Sequence, residues 1–150
     1  MARLSNILAN QVRGQFVTAA YLYIDSETCQ ARYSSAGHPP LLYWDSADRR
    51  LESIESNGLF FGYLKKKDYP VRELSFKSGD RFLLYTDGLI EPENSDDEPF
   101  GDRRLLDVIR SHENMPAEQL NTNLFEELRS WRPASASQQD DLTWIIVDIK

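Results

Sequence analysis

The sequence predicts an α+β fold, mainly antiparallel sheet with helices packed on the outside, and three observations predict it. Before residue 87 the apolar residues follow strand patterns, broken by turn clusters at short intervals. After Asp87 the period changes to that of amphipathic helices, and the chain closes on one more apolar run, 142–149. Strands that follow one another through short turns pair antiparallel, and the helices then cover a sheet face.

In chain order, Leu4, Ile7, Leu8 and Val12 recur at helical spacing, so residues 3–12 are expected as a short amphipathic helix ended by Gly14. Residues 16–24 are rich in β-branched and aromatic types and predict a buried strand. Asp25-Ser26-Glu27-Thr28 supplies turn chemistry, and 29–35 returns as the second strand of a hairpin, with Cys29 as a strand filler. Ala36-Gly37-His38-Pro39-Pro40 interrupts the sheet, after which 41–44 and 51–54 form a second pair around a turn at 45–50. Residues 57–69 are expected to be irregular. Residues 71–76 alternate as a strand with one wet face, and Ser78-Gly79-Asp80 turns into the continuous apolar run 81–86, a central strand. Leu105, Leu106, Val108 and Ile109 mark a helix over 104–112. Pro116 suits the first residue of another helix, whose buried face is Leu120, Leu124, Leu128 and Trp131. Residues 133–139 read as a loop. Residues 142–149, with Trp144, Ile145, Ile146 and Val147, read as a buried strand.

The gross numbers exclude several functions. At 150 residues the chain holds one domain with a real core. Its net charge of -7 argues against nucleic acid, whose phosphates require a basic footprint. No apolar run approaches the roughly 20 residues that span a bilayer, and the start lacks a signal peptide's apolar stretch. A single cysteine cannot close an internal disulfide, so a reducing, cytoplasmic setting is expected.

The candidate chemistry is acidic. Asp87 follows the end of one apolar strand, and Asp140 and Asp141 precede the start of another. If those strands are antiparallel neighbours, the three carboxylates share a sheet edge. Facing carboxylates need a cation, and hard oxygens favour Mg²⁺ or Mn²⁺ over zinc. Spacing alone favours the plainer reading, in which Asp87-Gly88 is a turn and Asp140-Asp141 opens the last strand.

Four segments shift that balance. Gly79-Asp80-Arg81-Phe82-Leu83-Leu84-Tyr85-Thr86-Asp87-Gly88 resembles the "GDxLLLYTDG" segment of SpoIIE/RsbU-type phosphatases, a branch of the PPM superfamily of metal-dependent serine/threonine protein phosphatases. Ser35-Ala36-Gly37-His38-Pro39-Pro40 resembles "NAGHPP", Phe100-Gly101 with Arg104-Leu105-Leu106 follows, and Gln139-Asp140-Asp141-Leu142-Thr143 resembles "DDxT". Phe16-Val17-Thr18 also fits a family strand.

The resemblance implies the C-terminal part of a PPM-type α-β-β-α sandwich. It implies Asp87 and Asp140 as metal ligands, Asp141 orienting the site from behind, and Gly88 turning the backbone away from the ion. It also implies two Mn²⁺ or Mg²⁺ ions in a complete domain, whose bridging water attacks the phosphorus of a phosphorylated protein. In the family that protein is often an anti-sigma-factor antagonist of bacterial partner switching. Relatives carry "GGDxxD"-like and "DVSGHG" segments upstream. Neither is in these 150 residues, so the expectation is a domain incomplete at its N-terminus, with too few ligands for a binuclear site. An exposed sheet edge would follow, and with it homo-oligomerisation.

Two other functions stay open on the sequence: a non-catalytic partner-binding module with a phosphatase-like fold, and an unrelated α+β interaction domain in which both Asp motifs are turns. His38 is read as bracing its loop or approaching substrate from the side, with bracing favoured. Glu91 is read as local hydrogen bonding, Asp96-Asp97-Glu98 as a solvated turn and Lys65-Lys66-Lys67 as a wet loop. His112 is read as a helix C-terminal partner, and the three tryptophans as core or core edge. Gly58-Leu59-Phe60-Phe61-Gly62 stands where relatives have a "GxPLG"-like loop, without the proline.

Overall fold

The computed structural model describes residues 1–9, 11–12, 15–56, 58–62, 68–133 and 141–150. Gly14, Lys65-Lys66-Lys67, Asp140 and nearly all of the loop at 133–139 lie outside the described residues.

A short helix α1 (Ala2–Leu8) precedes a hairpin of β1 (Ala19–Asp25) and β2 (Gln30–Ala36). A second hairpin, β3 (Leu41–Asp45) and β4 (Arg50–Ile54), is followed by β5 (Arg72–Ser75) and β6 (Arg81–Tyr85). Helices α2 (Gly101–Ser111) and α3 (Ala117–Trp131) then lead to β7 (Trp144–Asp148). The strands form two antiparallel sheets, ordered β1-β2-β5 and β4-β3-β6-β7.

Period-2 alternation explains the layering. In β6, Phe82 packs toward the first sheet with Tyr33, Leu41 and Tyr43, while Leu83 and Tyr85 point to the other face. There they meet Leu105, Val108 and Ile109 of α2 and Leu120, Leu124 and Leu128 of α3. A strand covered on both faces needs apolar residues at every position, which is why 82–85 reads as a continuous run. Each fully buried leucine here contributes about 1.5–3 kcal/mol. The order is sheet, sheet, helix pair, as the sequence predicts.

Several boundaries and burials differ from expectation. Helix α2 begins at Gly101, earlier than expected, because its first turn (Gly101, Asp102, Arg103) is polar and lies off the apolar stripe. Strand β1 begins at Ala19, opposite Ala36 where β2 ends, and Val17 bridges to Phe61 instead. Cys29 is no strand filler: it is exposed in the β1–β2 turn at φ 53°. Strand β7 pairs only with β6 among the described strands, so Ile145 is 55% exposed rather than buried. Trp44 is buried, and Trp131 and Trp144 sit at the core edge. His112 caps α2 as expected, its Nδ1 2.8 Å from the Val108 carbonyl oxygen.

Candidate active site

The register of β6 and β7 builds the site. Their last regular pair is Tyr85 with Trp144. Pairing continues one step further, because the Thr86 N–H donates to the Thr143 carbonyl at 3.0 Å. The Thr86 hydroxyl adds a latch: its Oγ1 lies 3.3 Å from the Asp141 and Thr143 carbonyl oxygens, and 3.3 Å from the Thr143 N–H that donates to it. The chain leaving β6 at Asp87 and the chain entering β7 at Asp141 are therefore side by side.

Asp87 opens a 3-10 turn (Asp87–Leu89). Its carbonyl accepts the N–H groups of Ile90 and Glu91 at 2.9 and 3.0 Å, and its Oδ1 accepts the Gly88 N–H at 3.1 Å. The Asp-Gly turn is therefore present, and the Asp87 side chain stays exposed beside it. Gly88 is buried in the middle of that turn and is not among the glycines with positive φ. It follows the 3-10 path in place of a left-handed bend. Glu91 takes part through its backbone N–H. Farther along, Asn94 Oδ1 accepts the N–H groups of Asp96 and Glu98, which makes 94–98 an exposed turn.

His38 reaches the same corner from the link between β2 and β3. Its Nδ1 lies 3.5 Å from the Thr18 hydroxyl, and the half-buried ring interacts with the Asp87 charge and the Tyr85 backbone. Burial pushes the imidazole below its ordinary value, against the pull of Asp87 and Tyr85. The loop beneath is tightly held. Gly37 sits at φ 61° with its N–H on the Gly58 carbonyl at 2.7 Å, and a Cβ there would lie 2.9 Å from Phe60 Cβ. Tyr33 donates its hydroxyl to the Pro39 carbonyl at 3.1 Å.

The structure thus brings together Asp87, Gly88, the Asp141 backbone and His38, while Asp140 lies outside the described residues. Sequence reasoning missed Thr86 as the latch and Thr18 as the partner of His38. The signal for Thr86 was its position, directly between the strand and its carboxylate. The donor chemistry is right for a hard divalent cation, an exposed carboxylate oxygen with main-chain oxygens nearby. Among the described residues, though, no group of three or more His, Cys, Asp or Glu side chains could hold an ion. The described donors therefore fit in kind and fall short in number.

Comparison with known proteins supplies the class. The fold matches the SiaA PP2C domain of Pseudomonas aeruginosa at TM-score 0.82 and 19% identity, covering 97% of this chain and 58% of that one. It matches the phosphatase domain of SpoIIE from Bacillus subtilis, presoaked with Mn, at TM-score 0.66 and 17% identity, covering 98% of this chain and 63% of that one. The RsbU and RsbW domains of a Mycobacterium tuberculosis protein match at TM-score 0.76 and 27% identity, covering 95% and 39%. The layered sheets and helices are thus those of a PP2C-type domain.

The family model for stage II sporulation protein E, SpoIIE, matches residues 1–150, and the chain belongs to that family. Among curated relatives, the phosphoserine phosphatases RsbP and RsbU of Bacillus subtilis are 29% and 27% identical over 90% and 88% of this chain. The chain spans 31% and 38% of their lengths. Membership of this family overturns the unrelated interaction domain as a reading.

Proposed function

We propose that these residues are the C-terminal part of a metal-dependent protein serine/threonine phosphatase domain. In this reading Asp87 and Asp140 are metal ligands and Asp141 orients the site from behind. The continued pairing of β6 and β7 through Thr86 and Thr143 is the observation that supports it most, because it sets two acidic strand ends side by side. The relatives named phosphoserine phosphatases favour catalysis over a module that only binds.

Mn²⁺ or Mg²⁺ bound there would lower the pKa of a water and hold the oxygens of a transferring phosphoryl group. The chain's own residues supply the rest. Thr86 fixes the separation of the two strand ends, and the turn after Asp87 holds its carboxylate at the open edge. The substrate is a phosphorylated protein of the anti-sigma-factor-antagonist type, in a bacterial partner-switching circuit. The setting is cytoplasmic, in keeping with the lone cysteine. Among the described residues no helix is long and apolar enough to cross a membrane.

Homo-oligomerisation belongs to the same proposal. Strand β1 pairs on one side only among the described strands, and its Tyr21 and Tyr23 are exposed. Such an edge invites a further strand. The test of function is hydrolysis of a phosphoserine peptide, with and without Mn²⁺, by these residues joined to the upstream acidic segments that the family resemblance implies. Mn²⁺-stimulated hydrolysis, lost in Asp87→Asn and in Asp140→Asn, is the expected result. Hydrolysis indifferent to Mn²⁺ and to both substitutions would refute it.

A further inference from the structure

The strand register carries the acidic corner on toward β4. Leu42 of β3 stands opposite Leu83 of β6, and Leu41 stands opposite Ile54 of β4. Continuing both registers by one or two residues brings Pro40 level with Tyr85 on one side and with Glu55 on the other. Neighbouring strands lie about 4.8 Å apart, so Glu55 stands about 10 Å from Tyr85 and a little farther from Asp87. A cavity of about 270 Å³ opens there, between the link that holds Gly37, His38 and Pro40 and the segment that leaves β4 at Glu55 and Ser56. Its donors are spent within the fold. The Ser35 hydroxyl donates to the Ser56 carbonyl at 2.5 Å, and the Ser56 hydroxyl to the Pro70 carbonyl at 2.8 Å. The N–H groups of Ser35, Gly37 and Gly58 donate to Ser56 Oγ, the Gly58 carbonyl and the Ser56 carbonyl at 3.2, 2.7 and 2.6 Å. Gly58 is packed so closely that a Cβ would lie 1.9 Å from the Ser35 carbonyl oxygen, which leaves the loop little room to rearrange.

What this lining has left to offer is acceptors: the remaining lone pairs of the two hydroxyls and the Glu55 carboxylate. Glu55 is exposed, and among the described residues it takes part in no ion pair. His38 adds no positive charge at neutral pH, because burial pushes its imidazole below the ordinary value. Acceptors beside one unpaired negative charge suit a donor-rich cation and repel an anion. We infer that this cavity is a specificity pocket, in which Glu55 holds a lysine or arginine side chain of the phosphorylated protein. An extended chain advances about 3.3 Å per residue, so that side chain lies three or four residues from the phosphorylated one. The inference deepens the phosphatase reading and rests on it for the substrate, whereas the charge preference of the cavity does not.

The experiment measures kcat/KM of these residues, joined to the upstream acidic segments, on phosphoserine peptides of otherwise neutral sequence. One lysine, alanine or glutamate is moved through the positions on either side of the phosphoserine. Lysine three or four residues away is expected to raise kcat/KM about fivefold over alanine, through KM with kcat unchanged, and glutamate there to lower it. Glu55→Gln should abolish the preference and Glu55→Lys should reverse it. A second arm follows the amides of the 150-residue chain by NMR as the lysine peptide is added. Shifts at residues 37–38 and 54–56, lost in Glu55→Gln, are expected. Those shifts without any hydrolysis would support the pocket and count against the phosphatase reading instead. Hydrolysis without a lysine preference, a preference that survives Glu55→Gln, or unmoved amides at those residues would overturn the pocket.

Discussion

Strand β6 carries an aspartate just beyond each end, and the two live in opposite environments. Asp80 is 1% exposed. Its carboxylate accepts the Tyr43 hydroxyl at 2.5 Å, the Ser46 N–H and hydroxyl at 2.9 Å each, and the Lys77 N–H at 2.9 Å. Asp87 is exposed and accepts the Gly88 N–H of its own turn. The closed end continues into Arg81, buried and paired with Asp148 at 2.6 Å, while its guanidinium also donates to the Met115 carbonyl. Asp148 in turn accepts the first N–H of α3, from Ala117, at 2.7 Å. The same residue type thus serves construction at one end of the strand and is left exposed at the other. Hydrogen-bond satisfaction separates the two roles.

The largest effect is expected at the closed end. Asp80→Ala removes the shared acceptor of the Tyr43 hydroxyl, both Ser46 donors and the Lys77 N–H at a largely buried carboxylate. That should cost about 3 kcal/mol and lower Tm by about 10 °C in a thermal melt. Next comes Arg81→Met, which leaves the partly exposed Asp148 without its cation and should cost about 2 kcal/mol in a denaturant titration. It should also loosen the start of α3.

Acid should erase the difference between the two ends. Burial pushes the Asp80 carboxyl up, but the hydrogen bonds from Tyr43, Ser46 and Lys77 outweigh it and leave the group below the ordinary value of 3.8. Asp148 is lowered in the same way by Arg81 and the Ala117 N–H, again against burial. A pKa depressed by folding gives stability that is present above the unfolded value and lost as pH falls through the folded one. The Tm gap between the wild type and Asp80→Asn should therefore be full at pH 5 and shrink below pH about 3.8. A gap constant down to pH 2 would contradict that sign. The smallest effect belongs to the open end: Asp87→Asn should change stability by no more than about 0.5 kcal/mol, because the carboxylate is exposed.

How much of this was legible in the sequence follows from the same contrast. The apolar run 82–85 announced a strand covered on both faces, and the spacing of Leu120, Leu124 and Leu128 announced the face of α3 that covers it. Asp80 read only as a turn residue, because nothing in a Ser-Gly-Asp triplet reveals that Tyr43 and Ser46 arrive from another hairpin. Arg81 read as the start of a strand, since its partner Asp148 is distant in sequence. Cys29 and Ile145 were misread because apolar character alone does not say whether a residue falls in a turn or on an edge strand. At the open end Asp87, Asp141 and His38 were legible through the motifs they belong to, whereas Thr18 and the Thr86 latch needed coordinates.

In the proposed phosphatase, the end of β6 and the start of β7 together grip a divalent cation. Mn²⁺ added to the isotope-labelled chain tests that directly, because the ion broadens amide signals near its own position. Selective loss of the signals of Gly88, Asp141 and His38, abolished in both Asp87→Asn and Asp140→Asn, is the predicted result. Broadening confined to the exposed 94–98 turn, or unchanged by those two substitutions, would contradict it.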